Sequence, residues 1–118
     1  MSGSDPSPLQ IIAHASISAA NPPVTAPGAG QDSQLNGLSL AFTNPGVYLF
    51  TLDAGLPGDG TGVVALALRI LATLRTGTGA IQAVKTGVTQ ITVNTFAADG
   101  STATNKAFDL IVFRVPGQ

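Results

Sequence analysis

The six residues GTGVVA at positions 60–65 come closer to a known chemical motif than the rest of the sequence does. They fit the G-x-G-x-x-A pattern with which a strand-to-helix turn holds the pyrophosphate of a dinucleotide. That fingerprint also needs an acidic residue about twenty positions further on, to bind a ribose hydroxyl. No acidic residue lies between Asp59 and Asp99. We therefore interpret the cluster as a glycine-rich turn rather than a cofactor site.

The other residues capable of chemistry are few and scattered. His14 is the single histidine, and the chain has no cysteine, so a metal site would have to rely on carboxylates. Asp53, Asp59 and Asp99 lie at or near turns, where a carboxylate accepts backbone N–H groups without any further role. A Ca²⁺ site built from two of these carboxylates is the alternative, although their spacing matches no calcium-binding loop. We predict no catalytic, cofactor-binding or metal-binding residues.

The composition points away from an enzyme. Only 9% of the residues are charged, against about 25% in an ordinary protein, whereas most catalytic sites need a positioned acid, base or nucleophile. A net charge of −1 predicts no nucleic-acid partner. The apolar stretch at residues 63–74 is shorter than the roughly twenty residues of a membrane span and contains Arg69, so no membrane association is expected. We predict a non-enzymatic protein that acts through its surfaces.

The elements that would carry those surfaces read as strands. Short runs of alternating or apolar residues are separated by Gly, Pro, Asn and Asp, which is typical of a β-sandwich or barrel. We predict an all-β, jelly-roll-like sandwich of seven or eight short antiparallel strands. It would form one domain over residues 9–118, with an extended arm at 1–8 and a long loop at 19–34. The predicted strands cover residues 9–18, 38–43, 47–54, 63–73, 80–85, 88–97 and 106–115.

Three of these segments carry more specific signals in their residue patterns. In the strand at 47–54, Tyr48, Phe50 and Leu52 share one face, which we expect to be buried. The strand at 106–115 is apolar on both faces, which predicts a central position in its sheet. Residues 63–75 are rich in Ala, Leu and Arg, so helix and strand both remain open there, and the alternating neighbours favour strand.

The sequence has few of the charged residues that usually protect the edges of a sheet. Monomeric sheet proteins guard their edges with Lys, Pro or inward-facing charges. This chain has only two lysines, Lys85 and Lys106. Either the sheet closes on itself or neighbouring subunits cover its edges, and we favour oligomerisation.

Several stretches together resemble a small β-domain of tailed-bacteriophage virion proteins. The pattern begins with a G-x-Y-x-x-x-L strand, a Pro/Gly/Asp turn and a β-run. It continues with a strand that ends in T-F-x-x-x-G, a short polar loop and a closing A-F-x-L-x-V strand. The matching stretches are NPGVYLFTLD at 44–53, VVAL at 63–66, ITVNTFAADG at 91–100 and AFDLIVFRV at 107–115.

The resemblance implies a trimeric sandwich without catalytic residues, of the kind found in fibre knobs and capsid decoration (cement) proteins. Residues 63–75 and the loop at 19–34 depart from the pattern. We expect a decoration protein of the virion, made in the host cytoplasm, that binds the major capsid protein or another virion protein as a homotrimer. A complete product of 118 residues would be short for a fibre. The arm and the loop at 19–34 would reach across to neighbours.

Two alternatives predict other functions. The first is a fibre knob that binds a host receptor or glycan through the turn at 57–62 and the loop at 98–105. The second is a small nucleotide-binding enzyme that uses the glycines at 60–65, which would require substantial helix.

Overall fold

The computed structural model describes residues 10–21, 23, 33–53, 68–75, 77–87 and 89–114. These residues form eight strands and no helix. The predicted arm at 1–8, the turn at 57–62 and the glycines at 60–65 lie outside them. The strands are β1 (Gln10–Ile17), β2 (Gln34–Asn36), β3 (Leu38–Asn44), β4 (Val47–Leu52), β5 (Leu68–Leu74), β6 (Ala80–Lys85), β7 (Gln90–Phe96) and β8 (Phe108–Arg114).

The strands form two antiparallel sheets of four strands each. Sheet I has the order β2-β1-β8-β5, and sheet II has the order β3-β4-β7-β6. The buried apolar residues of both sheets make one continuous core between them. The prediction of an all-β sandwich of seven or eight antiparallel strands is confirmed. Residues 68–74 of the ambiguous segment are a strand.

Aromatic side chains fill the centre of the core. The Tyr48 and Phe108 rings meet edge to face with centroids 4.9 Å apart, and the Phe50 and Phe108 centroids are 6.1 Å apart. The strict alternation in β4 buries Tyr48, Phe50 and Leu52 as predicted, because successive side chains of a strand point to opposite faces. These rings join the two sheets, since β4 belongs to sheet II and Phe108 to sheet I.

The last strand, β8, is central, as its apolar residues on both faces predicted. It pairs with β1 on one side and with β5 on the other. Its inward residues Phe108, Leu110 and Val112 are fully buried, whereas Asp109 and Ile111 face outward and are only half-buried. β8 is therefore the strand that joins the two halves of sheet I.

Two details of the N-terminal half differ from the sequence-based expectations. The predicted loop at 19–34 ends one residue earlier, because Gln34 begins the short strand β2, which pairs with β1. In β1, a register shift between Ile11 and Ala13 interrupts the alternation. Ile12 packs against the core in consequence, and Ile11 is 60% exposed, although a strict alternation would put it on the same face as the buried Ala13 and Ala15. A β-bulge has this effect because it inserts one unpaired residue.

The turn between β3 and β4 is fastened to a distant loop. Gly46 N–H donates to Asn105 Oδ1 at 2.6 Å, and Asn105 Nδ2 donates to the carbonyl of Ala20 at 2.6 Å. The carbonyl of Gly46 accepts the Thr95 N–H at 2.9 Å. Asn105 thus ties together three segments that are far apart in sequence. We call this arrangement the Asn105 clasp.

Candidate functional site

A small group of polar residues lies on the outer face of sheet I. Ser16 on β1 and Asp109 on β8 are directly opposite each other in the register, and Ser16 Oγ donates to Asp109 Oδ1 at 2.8 Å. Arg75 Nε approaches the same carboxylate oxygen at 3.8 Å. Both side chains of this ion pair are about half exposed, so its contribution to stability is small.

An open depression of about 260 Å³ lies beside this pair, and His14 lines it together with Ile11 and Ile111. His14 is exposed and stands opposite Ile111 in the register, two residues along β1 from Ser16. In hydrolytic triads the histidine accepts the serine proton and the carboxylate orients the histidine. Here Ser16 donates directly to the carboxylate, so the arrangement gives the serine no activating base. The depression offers apolar contact and a satisfied polar pair rather than a relay.

Asp99 behaves as the turn residue that the sequence predicted. Asp99 Oδ1 accepts the backbone N–H groups of Ser101 and Thr102, each at 2.8 Å, and Asp99 Oδ2 accepts the Thr102 hydroxyl. The side-chain and backbone hydrogen bonds from Thr102, followed by the backbone bond from Ser101, lower the pKa of Asp99 to about 2. The carboxylate therefore accepts three hydrogen bonds within its own turn, which accounts for an Asp at this position without a ligand.

The remaining residues with possible chemistry do not gather into a site. Asp53 is exposed just after β4, where its N–H donates to the carbonyl of Gly37 at 2.9 Å. Asp59 lies outside the described residues. Across the described ranges, no group of three His, Cys, Asp or Glu side chains is placed to hold a metal ion. Within the same ranges, no helix is long and apolar enough to cross a membrane.

The Tyr48 hydroxyl is a polar group inside the core; the sequence predicted the burial of this side chain but not the surroundings of its hydroxyl. The hydroxyl lies beside the Thr95 side chain and the Lys106 backbone, yet it completes no hydrogen bond with the described residues. Burial raises the pKa of this phenol, and the neighbouring Thr95 and Lys106 groups offset only part of the shift. The hydroxyl is sealed within the sandwich, so we assign it to packing.

The outer faces of the two sheets differ in charge. The outer face of sheet I carries His14, Arg69, Arg75 and Asp109. The alternation in β3, β4, β6 and β7 gives sheet II an outer face without any charged residue. We call this surface the sheet II face, and its members are Ser39, Ala41, Val47, Leu49, Thr51, Ala80, Gln82, Val84, Gln90, Thr92, Asn94 and Phe96.

The sheet II face is also apolar along its middle. Ala41, Leu49, Thr92 and Val84 stand side by side across the four strands, as the pairings of β3, β4, β7 and β6 require. Val84, on the edge strand β6, is 46% exposed. Depletion of charge and exposed apolar side chains characterise the cores of protein–protein interfaces. The sequence held this signal in its low charge, but only the strand order shows that it collects on one face.

Comparison with known proteins adds no further assignment. No family model, no curated protein and no solved structure matches this chain.

Proposed function

We propose that this chain is a non-enzymatic structural protein of a tailed-phage particle, a decoration protein that binds the head surface as a homotrimer and reinforces it. The observation that carries the proposal is the sheet II face, a surface of four strands with no charged residue and with exposed Val84 at its edge. The choice of a phage particle rests on the resemblance of residues 44–115 to virion β-domains.

The sheet II face suits contact with a capsid subunit. A face built from hydrogen-bonded strands is rigid, so binding costs little ordering of the backbone. Its Thr, Asn and Gln side chains supply hydrogen-bonding groups around an aliphatic middle, which resembles the mixture found in non-obligate interfaces. The absence of charge means that no ion has to be desolvated on contact.

Trimerisation would multiply weak contacts. A trimer presents three copies of the sheet II face, and once one copy has bound, the others meet the capsid at high effective concentration. Three sheet II faces that each bind weakly would then join neighbouring capsid subunits firmly. The arm at 1–8 and the loop at 19–34 are proposed to add contacts to neighbouring subunits, although most of both lies outside the described residues.

The fibre-knob alternative gains nothing from the loop at 98–105, and its other candidate binding segment, the turn at 57–62, lies outside the described residues. Residues 98–105 include no aromatic side chain for a sugar ring, and the carboxylate of Asp99 is engaged by Ser101 and Thr102.

The test uses heads of the phage that encodes this chain, assembled from a genome in which the gene for the chain has been deleted. Added protein should cosediment with them, saturate at a copy number divisible by three, and raise the temperature at which the heads release DNA. Val84→Lys should weaken cosedimentation at least tenfold, because it sets a charge in the middle row of the sheet II face. The Ile11→Lys variant changes an aliphatic residue of sheet I that is also exposed, and it should bind as the unchanged protein does. Heads that bind no protein would refute the proposal.

A further inference from the structure

Strand β5 forms one edge of sheet I, and half of its backbone groups point away from the sheet. Arg75 N–H donates to the carbonyl of Ala107 at 2.9 Å, towards β8. Because backbone N–H groups alternate in direction along a strand, those of Thr73 and Leu71 also point to β8. The N–H and C=O groups of Ile70, Ala72 and Leu74 point away from it.

The three other edge strands carry features that hinder pairing with another chain. β2 is three residues long. β3 is interrupted by a register shift between Phe42 and Asn44. β6 ends at Lys85, whose place in the alternation is on the inward face with Ile81 and Ala83.

β5 has none of these features. Over seven residues it keeps an unbroken register with β8, and it contains neither Lys nor Pro. At its centre Leu71 is 57% exposed, one of three large apolar side chains that are exposed among the described residues. A long and regular edge with an exposed apolar side chain at its centre is a template for another strand.

The geometry points to antiparallel pairing of β5 with β5 of a second copy of this chain, about a twofold axis at Leu71. The backbone groups that point outward belong to even-numbered residues. Each hydrogen-bonded pair between the two copies must therefore join an even-numbered residue of one β5 to an even-numbered residue of the other. An axis at Leu71 satisfies this and places Arg69 opposite Thr73 of the second copy. An axis at Ala72 also pairs even residues but sets Arg69 opposite Arg75 of the second copy, and like charges directly opposite are destabilising.

This register uses the whole strand. It would add about eight backbone hydrogen bonds and join the two copies of sheet I into one continuous sheet. The two Leu71 side chains would meet as a closely spaced pair, next to Ile111, which is the neighbour of Leu71 on β8. The exposed leucine at the edge would thus be covered by its own counterpart.

The pairing does not depend on the proposed function. It relates two chains, so a trimer that also used it would associate into a hexamer, whereas a chain without other contacts would form a dimer. In either case the native mass corresponds to an even number of chains.

Native mass measured at tens of micromolar protein tests the inference, with the full chain in every case. We expect an even multiple of 11.8 kDa for the unchanged protein. Leu71→Lys should halve that mass, because the twofold axis brings the two lysines together. Ile11→Lys lies on the same sheet face, two strands from the edge, and should leave the mass unchanged. Circular dichroism would check that each variant keeps its strands.

A mixing experiment makes the register itself testable. Leu71→Glu alone should also halve the mass, and an equimolar mixture of Leu71→Lys and Leu71→Glu should restore it, since opposite charges then face each other. A monomer or trimer for the unchanged protein would overturn the inference, as would variants that halve the mass without restoration on mixing. Capsid binding is measured separately, so failure of the pairing and failure of the proposed function remain distinguishable.

Discussion

Replacing Gly46 by alanine should destabilise the fold through two separable effects. Gly46 has φ +76°, a left-handed conformation that costs an L-residue about 1–2 kcal/mol. A Cβ atom there would also lie 2.6 Å from the carbonyl oxygen of Thr95 and 2.7 Å from the backbone nitrogen of Thr104. Both are backbone atoms, so the turn has to move away from the loop against which it packs.

The size of the destabilisation depends on the hydrogen bonds that this movement of the turn breaks. Gly46 N–H donates to the Asn105 side chain, and the carbonyl of Gly46 accepts the Thr95 N–H. Each of these two hydrogen bonds is worth about 1 kcal/mol net. Together with the conformational cost, we expect a loss of about 3 kcal/mol in the free energy of unfolding. With a urea m-value of about 1.5 kcal/mol per molar, the unfolding midpoint should fall by about 2 M.

Gly100→Ala is the matched control. Gly100 has the same φ of +76°, but beyond its two chain neighbours no atom of the described residues lies within 4 Å of the position that its Cβ would take. This variant should therefore show the conformational cost alone, about 1–2 kcal/mol. Urea unfolding of both variants, followed by circular dichroism, separates the terms. If the two midpoints fell by the same amount, the close contact of Gly46 with the Thr104 loop would carry no energy and the reasoning would be refuted.

Three further predictions concern single side chains. The carboxyl of Asp99 should titrate near pH 2 by NMR; because its folded pKa is lowered, its stabilising effect is present above about pH 4 and is lost as the pH falls towards 2, and titration near 4 would contradict the turn geometry. Tyr48→Phe should leave stability unchanged or raise it by about 1 kcal/mol in urea unfolding, because it removes a buried hydroxyl that completes no hydrogen bond with the described residues; a loss above about 1 kcal/mol would show that the hydroxyl is bonded, for example to Thr95. Asn105→Ala should cost about 2 kcal/mol in thermal unfolding and speed hydrogen exchange at the Gly46 amide, whereas unchanged exchange would show that the clasp is not maintained in solution.

The elements that the sequence predicted are those governed by local pattern. The alternation of β4 and the two apolar faces of β8 each follow from a period of two and the burial it requires. The turn at Pro45 and Gly46 follows from the φ preferences of those residues. Segment 63–75 was ambiguous because Ala, Leu and Arg favour helix locally. Its strand over 68–74 is stabilised by pairing with β8, which is a tertiary effect.

The features that escaped prediction depend on distant partners. β2 is only three residues long and exists because β1 offers a free side, so no periodicity could reveal it. The bulge that turns Ile11 outward leaves no mark in the alternation of the sequence. Asn105 reaches Gly46 and Ala20 across 59 and 85 residues, and its identity alone gives no sign of either contact. The uncharged sheet II face likewise emerges only once the strand order is known.

The central place of β8 in sheet I governs the order in which the chain can fold. β1 and β5 have no direct pairing, and the strand that joins them is the last of the eight. The contact between Ser16 and Asp109 closes a loop of 93 residues, and such distant pairing slows folding. All four strands of sheet II precede β8 in the sequence, so every strand of this sheet is synthesised before sheet I can be completed. Sheet I cannot be completed before β8 pairs with β1 and β5. Until then the inward apolar residues of β1 and β5 are exposed and can contact other chains.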